Sequence, residues 1–122
     1  MAAKHKQRDV VFVTMPVRDG ANAMEHPFLI LSNFTANSKE PDAYYTAVMI
    51  TTSSHRDQFT FDVENSAFEA PMKKHGNQIR LHQVVSFPET AIRSFVNRMK
   101  LLDFKAVLKA INDYVFSIDN NP

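Results

Sequence analysis

Cysteine and tryptophan are absent from this chain of 122 residues, and glycine occurs only twice. Without cysteine there is no disulfide and no thiolate metal site, and such a composition fits a reducing compartment. An excess of one charge is lacking too: 14 Lys and Arg stand against 13 Asp and Glu, a formal net charge of +1. The field of the whole protein is then too weak to clamp a polyanion, so any nucleic-acid contact must come from a local patch. No apolar run approaches the ~20 residues of a membrane-spanning helix. The basic start MAAKHKQRD leads into VVFVTMP, too short for a signal-peptide core. A soluble, cytoplasmic protein is expected. No P-loop, HExxH or GxSxG occurs, and the carboxylates are scattered rather than clustered, so neither a metal nor a cofactor is expected.

What is present suits one compact domain over residues 1–122, because 44% hydrophobic residues suffice for a single core. Residues 1–8 read as a solvated basic tail. DVVFVTM (9–15) is a β-branched run stopped by Pro16, hence a first strand, and Asp19-Gly20 marks the loop 17–26. PFLILSN (27–33) reads as the second strand, with Pro27 at the tolerated first position. A polar loop follows over 33–42. YYTAVMITT (44–52) is apolar without alternation, so both faces of that strand should be covered.

After a turn at 53–57, residues 58–65 alternate, with Phe59, Phe61 and Val63 on one face. A connection over 66–77 leads to a strand at 78–85 with Ile79 and Leu81 inward, and 93–100 is a further extended segment. A C-terminal helix is predicted over 102–118, with Asp103 as N-cap and Phe104, Val107, Leu108, Ile111, Tyr114 and Val115 on its inner face. The fold class is therefore mainly β with a C-terminal helix, a small twisted antiparallel sheet or barrel with the helix packed on it.

Candidate chemistry rests on few groups. His5 lies in the tail, and His55 and His75 lie in polar turns where solvation is the ordinary state. His26 and His82 sit at strand edges. Arg80 and His82 share the face opposite Ile79 and Leu81, with Cα atoms roughly 7 Å apart, so both could reach one phosphate. An ordinary solvent-facing polar strand would show the same spacing. ITTSS (50–54) supplies hydroxyls at a strand end, though Thr and Ser are also common turn residues.

The order of the pieces carries more than any one of them. DVVFVTMPVRDG, HPFLILSN, AVMITTSS, FTFDV, QIRLHQVVSF and a terminal amphipathic helix together resemble the MazF/PemK family, over roughly residues 9–118. The resemblance implies the small SH3-like barrel of the MazF/PemK/CcdB type. It also implies a homodimeric toxin of a type II toxin–antitoxin system that cleaves single-stranded RNA without metal, with a cognate antitoxin as partner. The family's catalytic Arg before Pro is His26 here, which makes HP for RP the mark of a variant branch. Its catalytic Thr matches Thr51. Arg80 is retained, His82 stands where an Asp would be, and Arg8 replaces a Gly.

What the resemblance implies, combined with the chemistry of the residues, assigns Arg80 to the transition-state charge, His26 and His82 to base and acid in undetermined order, and Thr51 to the phosphate or 2′-hydroxyl. Arg18, Thr52, Ser53, Lys73 and Lys74 would bind RNA, and Phe34 or Phe68 could stack on bases, although core packing suits either ring. Two other readings stay open: a non-catalytic protein of this fold that binds a protein partner, as the gyrase poisons and SH3-like modules do, and a phosphate-binding enzyme of small metabolites. Convergence of His26, Thr51, Arg80 and His82 on one cleft is what the enzyme reading expects.

Overall fold

The computed structural model describes residues 3–15, 24–52 and 56–120. Six strands form one antiparallel sheet: β1 (Asp9–Met15), β2 (Met24–Ile30), β3 (Tyr44–Thr51), β4 (Thr60–Val63), β5 (Asn77–Pro88) and β6 (Ile92–Arg98). Their order across the sheet is β4-β5-β3-β2-β1-β6. The edge strands β4 and β6 do not pair with each other, so the sheet stays open rather than closing into a barrel.

Both faces of this sheet are covered, as the unbroken apolar run of β3 requires. Val48 and Ile50 join Val10, Leu29, Ile79 and Leu81 on one face. Tyr45 and Ala47 join Val11, Val13, Phe28 and Phe87 on the other. The helix α2 (Leu101–Tyr114) closes the first face by burying Phe104, Val107, Ala110 and Ile111. Each fully buried large aliphatic or aromatic side chain contributes roughly 1.5–3 kcal/mol. The alternation of 58–65 holds, because Phe59, Phe61 and Val63 all pack in the helix-side cluster.

Several expectations need correction. Strand β2 begins at Met24, so Pro27 lies inside it rather than at its start. It is tolerated because β3 pairs with β2 only from Phe28 to Ile30, leaving Pro27 bonded to β1 alone, at a local edge. Residues 3–8 are docked rather than solvated: Ala3 N donates to Ser38 Oγ, His5 N to Tyr45 Oη, and Arg8 N to Ile30 O. The polar loop over 33–42 contains a single helical turn, α1 (Phe34–Asn37), capped by Asn33, whose side chain accepts from Ala36 N.

The N-cap of α2 is Lys100, without a side-chain cap, and Asp103 sits in the first turn, where its charge suits the helix dipole. Leu108 and Tyr114, expected inward, are 38% and 61% exposed. The apolar stripe is narrower than the sequence pattern suggests.

Candidate active site

Strand alternation and register decide which polar groups meet. The β2–β3 ladder runs from Ile30↔Ala47 to Phe28↔Met49 and stops there. Continued by two residues, the same register sets His26 opposite Thr51. Thr51 pairs with Gln78 on β5, and Arg80 pairs with Thr60 on β4. His26, Thr51 and Gln78 would therefore lie in a line across neighbouring strands on one face of the sheet, with Arg80 on that face two residues further along β5.

A cleft of about 610 Å³ opens at the end where β2 and β3 part. Its lining brings Glu25, His26 and Pro27 together with Thr51, Thr52, Lys73 and Lys74. His26 and Thr51 are half-buried, whereas Thr52 and both lysines are exposed. The lysines precede Gly76, which takes φ +72° to turn the chain into β5. Residues that carry an imidazole, two hydroxyls and two ammonium groups thus line one solvent-open cleft, a set of groups that suits a phosphodiester chemically.

Arg80 and His82 do not line this cleft. Arg80 is 7% exposed, and its guanidinium is already engaged. Nη1 donates to Thr60 Oγ1 at 2.7 Å and Nη2 to Asp57 Oδ2 at 2.8 Å. His82 is exposed, its ring 4.7 Å from that of Phe59. The four residues expected to converge thus divide into a pair in the cleft and a pair on β5 nearer β4. The reason is lateral: alternation tells which face a side chain takes, but Thr60 and the turn at Asp57 lie on the far side of β5 from the cleft. Beside them Arg56 bonds Asp62 and holds that carboxyl below its usual range.

Arg18 and Ser53 lie outside the described residues. Of the two candidate stacking rings, Phe68 is 3% exposed in the core, and Phe34 is exposed on α1 away from the cleft. Several cleft residues had no sequence signal: Glu25 fell in a segment read as loop, and Phe12, Met72 and Asn97 read as ordinary strand or loop positions. Recognising that β2 starts before Pro27 would have found Glu25. Among the described residues, no group of three or more His, Asp or Glu could hold a metal ion. No helix among them is long and apolar enough to cross a membrane.

Comparison with known proteins gives this arrangement its context. The family model described as PemK-like, MazF-like toxin of type II toxin-antitoxin system matches residues 6–115. No curated protein sequence matches the chain. Among solved structures, MazE-MazF from Deinococcus radiodurans is similar at TM-score 0.71 and 11% identity, covering 95% of this chain and 100% of that one. An endoribonuclease in complex with its cognate antitoxin, from Mycobacterial species, is similar at TM-score 0.68 and 12% identity, over 94% and 98% of the two chains. Mycobacterium tuberculosis toxin MazF-mt6 follows at TM-score 0.66 and 15% identity, over 92% and 99%. Identities this low speak for the shared fold.

Proposed function

The chain belongs to the PemK-like, MazF-like toxins of type II toxin–antitoxin systems, and on that premise we propose that it is an endoribonuclease that cuts single-stranded RNA at the cleft beside His26. The observation that carries the reading is the meeting of His26, Thr51, Thr52, Lys73 and Lys74 around one open cleft. Similar chains include an endoribonuclease bound to its cognate antitoxin, which supports an antitoxin as partner here. A homodimer in the cytoplasm belongs to the same proposal.

The chemistry requires no group beyond side chains and RNA. The 2′-oxygen of a ribose attacks the adjacent phosphorus, the bond from phosphorus to the 5′-oxygen breaks, and a 2′,3′-cyclic phosphate and a 5′-hydroxyl result. One base removes the 2′-proton and one acid protonates the leaving oxygen. His26 fills one of these roles, since an imidazole exchanges protons near neutral pH. Thr51 and Thr52 orient the phosphate or the 2′-hydroxyl, and Lys73 and Lys74 offset the charge of the phosphorane. His82 does not line the cleft, so it could take the second proton-transfer role only if the RNA or a movement of β5 brought it to the phosphate. Arg80 would first have to leave Asp57 and Thr60 to touch a phosphate, which favours it as the support of β4 and β5.

The test is cleavage of a defined RNA by the purified protein in EDTA, with the product ends mapped. A 2′,3′-cyclic end is expected, and His26→Ala should slow cleavage by roughly 10²- to 10⁴-fold while remaining folded. His82→Ala, measured separately, decides whether the second imidazole takes part. Undiminished cleavage by His26→Ala would sink the assignment, and wild-type protein that leaves RNA intact would sink the enzyme reading.

A further inference from the structure

A buried carboxamide costs free energy unless its polar atoms find partners, so those partners show what it holds in place. Two such groups, Asn97 of β6 and Asn77 at the start of β5, are each 4% exposed. Asn97 serves residues 70–72: Nδ2 donates to Ala70 O at 2.7 Å and to Met72 Sδ at 3.1 Å, while Oδ1 accepts from Ala70 N at 3.1 Å. Asn77 serves the other end of the same segment. Its Nδ2 donates to Lys74 O at 2.7 Å and to Asn65 Oδ1 at 3.3 Å. The side chain thereby closes the turn from Lys74 to Asn77, in which Gly76 takes φ +72°. The backbone that carries Lys73 and Lys74 is tied on both sides.

The second tie reaches further than the turn. A backbone carbonyl only accepts, so Asn77 turns its NH2 toward Lys74, and Asn65 answers with its oxygen. Asn65 then presents its own NH2 to His75 Nδ1, 3.0 Å away. An amide NH2 only donates, so Nδ1 accepts and the ring proton sits on Nε2. Asn65 opens the single helical turn Asn65–Ala67 that follows β4. With His75 it lines a separate hollow of about 300 Å³ rather than the cleft. The relay from Lys74 through Asn77 and Asn65 to His75 thus anchors the lysine segment to a part of the chain outside the cleft.

We propose that Asn77 is a positioning residue for RNA binding, which holds the Lys73–Lys74 backbone at the cleft before RNA arrives, with Asn65 and His75 as its outer support. The proposal rests on the endoribonuclease reading, in which these lysines meet phosphate. Both N–H groups of the Asn77 amide are spent on the protein, so Asn77 acts through Lys74 rather than on RNA. Lysine side chains are long and solvated here, and only their backbone can be set in advance. A segment already held leaves out the cost of ordering it at the moment of binding.

The test uses the full chain and an uncleavable 2′-O-methyl oligoribonucleotide, read by fluorescence anisotropy, with circular dichroism to show which variants fold. Asn77→Ala should weaken binding roughly 2- to 10-fold. In protein that already carries Lys73→Ala and Lys74→Ala, the same change should have no effect, because nothing is left to position; a structural loss alone would weaken both backgrounds equally. Asn65→Ala should give a smaller loss of the same kind, and Asn65→Asp, which keeps an oxygen for Asn77, should bind like wild type. At pH 8 the ¹⁵N shifts of the His75 ring should place its proton on Nε2. The inference is overturned if folded Asn77→Ala binds like wild type, if its loss is equal in both backgrounds, or if the His75 proton sits on Nδ1. Should Asn77→Ala not fold, Asn65→Ala decides by the same comparison. These outcomes leave the endoribonuclease reading standing, because wild-type cleavage is measured alongside. Wild-type protein that neither binds nor cleaves RNA overturns both.

Discussion

Arg80 has an interior address and a full charge, and two partners make that combination stable. Asp57 supplies a carboxylate and Thr60 a hydroxyl, both within 2.8 Å of the guanidinium. Asp57→Ala should therefore cost about 2–4 kcal/mol in urea unfolding, toward the lower range for a broken buried pair because Asp57 is itself partly solvated. Asp62→Ala, which breaks the exposed pair with Arg56, should cost much less; equal losses would show that Arg80 does not depend on Asp57. Here the sequence was legible only halfway. Alternation set Arg80 apart from Ile79 and Leu81, but it did not give the fork's target, since Asp57 is a turn residue with no periodic relation to β5. Tyr45 makes a second residue-scale case. Its hydroxyl donates to Glu89 at 2.5 Å, and burial, reinforced by that bond, pushes its pKa from 10.0 up to about 12. The folded state prefers the protonated phenol, so its contribution is complete below pH ~10, the unfolded value, and is lost as pH rises toward about 12. Thermal melts across that window should show stability falling in wild type more steeply than in Tyr45→Phe.

At the scale of elements, strong periodicity was readable and boundaries were not. The terminal helix was evident from Phe104, Val107 and Ile111, all buried. Its start was misread because Asp103 is a good cap residue by type, whereas the chain enters through Lys100 with φ −67° and ψ 150°. That backbone is already the extended geometry an N-cap uses, but lysine cannot accept from the first-turn N–H groups. Lys100→Ser should raise stability by about 0.5–2 kcal/mol, seen as a higher Tm, by capping those groups and removing a cation from the positive end of the helix. No change would mean the first turn is already satisfied by other means. Strand β2 repeats the lesson at the site. Reading Pro27 as a strand start hid Glu25 in a loop. The register that lines His26 up with Thr51 is a property of pairing between strands, which one-dimensional alternation does not contain.

For the whole molecule, charge balance sets what kind of binding is possible. With a formal net charge of +1, long-range attraction for RNA is slight, and affinity must come from contacts at the cleft. Two terms then separate by their response to salt. Phosphate contacts release counterions, each adding ~0.7 to the slope of log K against log salt for a single strand, whereas uncharged contacts are nearly indifferent to salt. A protein that meets RNA only at this cleft should show a shallow slope, only a few units, unlike a cationic groove that tracks a long backbone. Lys73→Ala and Lys74→Ala should each lower that slope by about 0.7–1 and weaken binding to every sequence alike. Titration of an uncleavable oligoribonucleotide over a range of salt concentrations measures both quantities at once. If the lysine variants kept the wild-type slope, Lys73 and Lys74 would not be touching phosphate.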